Sequence, residues 1–128
     1  MIESAKILVV EDNDFVRMQI AKFLQDEGYE VVEGTDGSDA LDKMEPDIAM
    51  AIVDVRMEPI DGFEFVKTLR SEDNNTPVIL VTGDHNPDLL AEAGKWRVAA
   101  VLMKPVQRDR LVKTVSRTLQ SLARTGSR

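Results

Sequence analysis

Short apolar runs alternate with helix-patterned stretches along the chain, and the first run, Ile7-Leu8-Val9-Val10, is apolar at every position. A strand with one wet face alternates polar and apolar residues, whereas one that is apolar throughout is covered on both faces. Strands covered on both sides and separated by helices require a parallel sheet with right-handed crossovers and helices above and below. The expected architecture is therefore α/β and doubly wound.

The remaining elements follow from capping and periodicity. Asp12-Asn13-Asp14 offers capping side chains for a first helix carrying Val16, Ile20, Phe23 and Leu24 at helical spacing, with Gly28 as a left-handed stop. Val31-Val32 predicts a short second strand, and 36–44 a second helix with Ala40, Leu41 and Met44 on one side. Ile48 to Val53 is the third strand, and Gly62 to about Ser71 the third helix, with Phe63, Val66 and Leu69 inward. Asn74-Asn75-Thr76-Pro77 turns the chain into a fourth strand, Val78-Ile79-Leu80-Val81. Asn86-Pro87-Asp88 is a helix start, combining a capping side chain, a proline and a first-turn acid. Val98 to Met103 is the fifth strand, and Leu111, Val115, Leu119 and Leu122 mark a last helix, with a flexible tail over 123–128. Five β-α units with no repeat or linker make 1–128 one domain, with its core over about 6–122.

Composition narrows the function. The net charge of -7 opposes nonspecific binding to nucleic acid, which depends on Lys and Arg neutralising phosphates. No apolar run approaches the roughly 20 residues that span a bilayer, so no membrane role is expected. Met1 to Lys6 lacks a signal-like pattern, and the absence of cysteine removes disulfide and thiolate chemistry; together these point to the cytoplasm.

In a sheet of this kind ligands bind beyond the carboxyl ends of the strands. Glu11-Asp12, Asp54, Thr82 and Lys104 all fall at such ends and should converge. Taken singly, each is an ordinary cap, turn or solvated residue; their joint placement at strand ends gives them meaning. Three gathered carboxylates repel one another unless a cation lies among them, and hard oxygen ligands suit Mg²⁺. Asp54 terminates a central strand after Ile52-Val53, and a carboxylate can attack phosphorus to form an acyl phosphate. Lys104 would neutralise phosphoryl oxygens, Thr82 would donate to one, and Gly83 would leave room for the group.

The acid pair Glu11-Asp12 after Ile7-Leu8-Val9-Val10, the segment Asp54-Val55-Arg56-Met57-Glu58-Pro59-Ile60-Asp61-Gly62, Thr82-Gly83 and Lys104-Pro105 together resemble the receiver domains of two-component response regulators. The likeness runs from about Lys6 to Leu122 and is to the single-domain, chemotaxis-type members. It implies a flavodoxin-like sheet of order 2-1-3-4-5 with five helices. It makes Asp54 the phosphoacceptor, Asp12 a direct ligand of Mg²⁺ (with Mn²⁺ able to substitute) and Glu11 an acidic partner acting largely through water. The Arg56 backbone carbonyl would complete the protein's ligands. Thr82 becomes the switch hydroxyl and Lys104 the phosphate-binding lysine, with Lys104-Pro105 a candidate cis bond. Arg56 and Asp84 would tune phosphoryl loss by controlling water access. The implied partners are a histidine kinase or histidine phosphotransfer protein as donor and an unidentified downstream protein, with the chain a monomer or weak dimer. The protein would catalyse only its own phosphotransfer and slow autodephosphorylation.

The chain departs from the family pattern at three positions. Glu58 stands where proline is usual, with Pro59 next; Val101 replaces the usual switch aromatic; Val106 stands where Phe is common. Trp96 is expected as a helix contact and His85 as a loop residue without a role. The alternatives are a phosphorelay intermediate, a phosphate sink, a receiver that binds partners without phosphorylation, or a Mg²⁺-dependent aspartyl-phosphate phosphohydrolase. Such a hydrolase usually has an aspartate where Arg56 stands. A flavin-binding relative would need a phosphate cradle where Glu11-Asp12-Asn13-Asp14 carries negative charge.

Overall fold

The computed structural model describes residues 5–126, with side chains to residue 121. The parallel strands β1 (Lys6–Val10), β2 (Glu30–Gly34), β3 (Ile48–Asp54), β4 (Val78–Thr82) and β5 (Ala100–Met103) form one sheet of order β2-β1-β3-β4-β5. They alternate with α1 (Asp14–Gln25), α2 (Gly37–Lys43), α3 (Gly62–Ser71), α4 (Pro87–Lys95) and α5 (Arg108–Gly126). This is the expected doubly wound, flavodoxin-like arrangement.

Side-chain alternation along each strand feeds two cores. Leu8, Val10, Val53 and Leu80 point to the face covered by α2, α3 and α4, where Phe65, Val66 and Leu69 of α3 are buried. Ile7, Val9, Ile52 and Val81 point to the opposite face, covered by Ile20 and Leu24 of α1 and by Leu111 and Val115 of α5. With both faces covered, β1, β3 and β4 have the continuous apolar sequences from which the fold was read.

Several boundaries differ from the sequence reading. β2 extends through Gly34 because its backbone pairs with β1 out to Val10. β5 begins at Ala100, since its pairing with β4 starts at Ile79, while Val98 instead closes the α4 turn through Ala93. The α3 face is set by Gly62, where an added Cβ would meet the Asp54 carbonyl oxygen at 2.6 Å. That close approach turns Phe65, not Phe63, fully inward, and Phe63 is half-buried. α5 runs to Gly126, so the expected tail is helical up to that residue; 127–128 and the N-terminal residues 1–4 lie outside the described residues. Leu122 lies beyond the described side chains.

At the edge of the sheet remote from the strand carboxyl ends, Arg70 of α3 is buried and, among the described residues, has backbone carbonyls rather than carboxylates as its partners. Its guanidinium donates to the carbonyls of Trp96 at 3.0 Å, Asn74 at 3.0 Å, Thr76 at 3.0 Å and Arg97 at 3.2 Å. One side chain thereby joins the α3–β4 turn to the α4–β5 turn. Trp96, expected as a helix contact, is half-buried against the core, donates to Glu92 and carries the Lys67 and Lys95 ammonium groups at 5.6 and 5.7 Å from its ring centroid.

Candidate functional site

The carboxyl ends of β1, β3, β4 and β5 bring the singled-out residues together. Asp54, the last residue of β3, is 5% exposed, and Thr82 closes β4 at 1%. Glu11 follows β1 and is 2% exposed, while Asp12 faces solvent. Lys104 follows β5, and its amide donates to the Thr82 carbonyl at 2.8 Å, which aims the lysine stem along the strand ends. Its ammonium lies 3.0 Å from Glu11 Oε1 and 3.3 Å from Asp54 Oδ2. The Lys104–Pro105 bond is cis, as expected from the resemblance, and so is Glu58–Pro59, which was not foreseen.

The acid pair is held by its backbone. The Glu11 amide donates to the Gly34 carbonyl at 3.1 Å, and Glu11 Oε2 accepts from the Asn13 amide at 3.1 Å. Asn13 caps α1 through its side chain, accepting from the Val16 amide. Burial raises the Glu11 carboxyl to about 7, against the lowering effects of the Asn13 amide and Lys104. For Lys104, burial acts to lower the ammonium's pKa, but Glu11 and Asp54 outweigh it and leave it raised.

Glu11 Oε1 is buried and, despite the nearby ammonium, has no hydrogen bond of good geometry among the described residues. Carboxylate oxygens of Glu11, Asp12 and Asp54 lie within 4.8 Å of one another, a separation at which one cation can reach all three. A buried, under-satisfied carboxylate oxygen among other hard oxygens fits a divalent cation such as Mg²⁺. The Arg56 amide approaches Asp54 Oδ1 at 3.4 Å, so the backbone of the β3–α3 loop folds around the same carboxylate.

The surroundings suit a bound oxyanion. Thr82 Oγ1 accepts the Asp84 amide at 3.0 Å, which leaves the hydroxyl proton available to another acceptor. Among the described residues, chain neighbours aside, nothing lies within 4 Å of a Cβ built on Gly83, so there is open space at that position. The Arg56 guanidinium, itself exposed, pairs with Asp84 across the mouth. Asp84 is drawn below the usual carboxylate range, first by the Asn86 amide and then by Arg56. A cleft of about 670 Å³ opens beside Asp12 and is lined by Arg56, Glu58, Asp61, Phe63 and Leu89. Glu58 thus adds a carboxylate to the approach, Val101 is half-buried with no aromatic ring at its position, and His85 lies in the exposed loop after Asp84.

Sequence reasoning missed Arg17. This α1 residue is buried, and its guanidinium reaches Glu11, Asp14 and Glu33. The signal was its spacing: Arg17 shares the inward stripe of Ile20, Ala21 and Leu24, and a cation on a buried stripe needs partners.

Comparison with known proteins agrees with this geometry. The model of the response regulator receiver domain matches residues 7–116. Part of the CAI-1 autoinducer sensor kinase/phosphatase CqsS of Vibrio cholerae is 36% identical over 87% of this chain, which spans 17% of that protein's length. The chemotaxis protein CheY of Treponema pallidum is 28% identical over 90% of this chain and 83% of its own. Among solved structures, chemotaxis protein CheY4 of Vibrio cholerae superposes with a TM-score of 0.83 at 35% identity, covering 89% of this chain and 98% of that one.

Proposed function

Because this chain belongs to the response regulator receiver domain family, we propose that it is a phosphoacceptor switch in which Asp54 takes a phosphoryl group from a phosphohistidine. The donor is a histidine kinase or a histidine phosphotransfer protein, and the response is a change in the surface from β4 to α5 that alters binding of a downstream protein. The supporting observation is the position of Asp54: buried at the end of a central strand, 3.3 Å from the Lys104 ammonium and beside two further acids.

In this reading an Asp54 carboxylate oxygen attacks phosphorus. The new O–P bond forms as the N–P bond of phosphohistidine breaks, and its electron pair returns to the imidazole nitrogen, which takes up a proton. Lys104 moves its charge from the two carboxylates to the phosphoryl oxygens. The Thr82 hydroxyl, already accepting from the Asp84 amide, donates its proton to a phosphoryl oxygen in the space beside Gly83. Glu11, Asp12, Asp54 and the Arg56 carbonyl would hold Mg²⁺, or Mn²⁺ in its place, which supplies charge neutralisation for the approaching anions. The protein turns over no external substrate beyond its own phosphotransfer and slow autodephosphorylation, and it works in the cytoplasm as a monomer or weak dimer.

Wild type incubated with Mg²⁺ and a small phosphoramidate or acyl phosphate should acquire an acid-stable, base-labile label, and Asp54→Asn should acquire none. Equal labelling of the two would overturn the assignment. Similarity to a segment of a sensor kinase/phosphatase favours a second reading, a phosphorelay intermediate. Onward transfer of the label to a histidine phosphotransfer protein would distinguish that reading from an adaptor or a phosphate sink.

A further inference from the structure

The Glu11–Asp12 peptide is gripped from a helix on one side of the sheet. Arg17 Nη1 donates to the Glu11 carbonyl oxygen at 2.7 Å, a buried contact between a helix side chain and the peptide joining the two acids. The same guanidinium sends Nε to Glu33 at 2.9 Å on β2 and Nη2 to Asp14 at 2.6 Å in the first turn of α1. Its planar fork is thereby used in three directions, an arrangement that the single ammonium of lysine does not reproduce. The preceding peptide, Val10–Glu11, is held as well, its Glu11 amide donating to the Gly34 carbonyl at 3.1 Å.

A net change in ψ of Glu11 or φ of Asp12, the two torsions that flank this peptide, would re-aim one acid relative to the other, and a bond that fixes the carbonyl restrains both torsions. Closing three carboxylates to within 4.8 Å against their mutual repulsion therefore needs a clamp on the backbone. The guanidinium is suited to that task because it brings no uncompensated positive charge. Asp14 and Glu33 are both ion-paired with it, so the cluster of three carries net negative charge beside the acids.

We propose that Arg17 is a positioning residue for the acid pair: by fixing the Glu11–Asp12 peptide it sets the affinity of the site for a divalent cation. The proposal rests on the phosphoacceptor reading in taking the acid pair as a cation site. Groups that orient metal ligands typically contribute about 10–100-fold to metal affinity, and a loss of that size is expected when this contact is removed.

The test is direct titration of the intact protein with Mn²⁺, read by the electron paramagnetic resonance signal of free Mn²⁺, with Mg²⁺ as competitor. Wild type is compared with Arg17→Ala, Arg17→Lys and Glu33→Gln, and folding of each is followed by circular dichroism. Arg17→Ala and Arg17→Lys should weaken both cations by at least about 10-fold. Glu33→Gln removes an ion pair of the same guanidinium but spares the Glu11 carbonyl contact, so it should lower thermal stability and leave affinity within about two-fold of wild type.

Folded Arg17 variants that bind as tightly as wild type would overturn the proposal while leaving the phosphoacceptor reading intact. Weakening by Glu33→Gln equal to that by Arg17→Ala would also overturn it, as would loss of the fold in both Arg17 variants, because either result assigns Arg17 to stability alone. Wild type that binds no cation and takes no label would overturn the phosphoacceptor reading itself.

Discussion

Lys104 bridges two carboxylates, 3.0 Å from Glu11 and 3.3 Å from Asp54, and is the cationic side chain shared by that pair. Replacing it by an apolar residue of similar length leaves both acids buried without their counter-charge. Lys104→Met should therefore lower unfolding free energy by about 1–3 kcal/mol in chelator-containing buffer, an amount reduced for the partial exposure of the ammonium. Added Mg²⁺ should recover part of that loss, as urea titrations with and without the ion would show. The Arg56–Asp84 pair closes the mouth of the site from outside. Arg56→Ala and Asp84→Ala should each still accept label but lose it faster than wild type, because water reaches the acyl phosphate more readily. A chase after removal of the phosphodonor measures both rates. At this scale the sequence exposed the side chains that gather at the strand ends because each ends an apolar run. It concealed Arg17, whose importance depends on the peptide that its guanidinium reaches.

Element boundaries were legible where a cap or a proline marks them. Asn86-Pro87-Asp88 opens α4 as expected, and Asp61 and Glu64 form a reciprocal capping box at the start of α3. They were less legible where strand pairing decides, as at Ala100, or where a close backbone approach turns a helix, as at Gly62. The start of α2 combines a cap with a charge. Asp36 accepts from the Asp39 amide at 2.9 Å, while Asp39 accepts from the Thr35 amide at 3.0 Å and pairs with Lys43 at 3.1 Å. The Thr35 amide, then Lys43, hold the Asp39 carboxyl below its ordinary value of 3.8. A lowered folded value means that the ionised form stabilises the protein above the unfolded value, and that this contribution disappears as pH falls through the folded value. Wild type should therefore melt above Asp39→Asn near neutral pH, and the gap in Tm should close as pH falls below 3.8. Paired thermal melts across that range provide the measurement.

At the scale of the whole molecule, the parallel sheet and the convergence of the site followed from one inference, that apolar strands separated by helices make a parallel sheet, while the strand order β2-β1-β3-β4-β5 was expected from the family resemblance alone. Departures such as Glu58 and Val101 were visible as residues, but where they sit depends on the loop and strand that carry them. The molecule's tolerance of its acid cluster leads to a ligand-linked prediction. A cation that binds the folded form alone stabilises it by about 2.7 kcal/mol at a concentration 100 times its dissociation constant. Mg²⁺ should raise Tm and chelator should reverse the gain, whereas Asp12→Asn should respond weakly to either; differential scanning fluorimetry reads all three.

Arg70 gives the sheet's remote edge a different character from the edge where the carboxylates gather. By tying Trp96 and Arg97 to the turn before β4, it moors the rear of α4, while the front of that helix follows a loop governed by Thr82 and Asp84. A helix anchored at one end answers a pull at the other by swinging about a pivot. Its displacement on phosphorylation should therefore grow steadily from Trp96 towards Pro87, and a partner that reads the leading turn would sense the largest stroke.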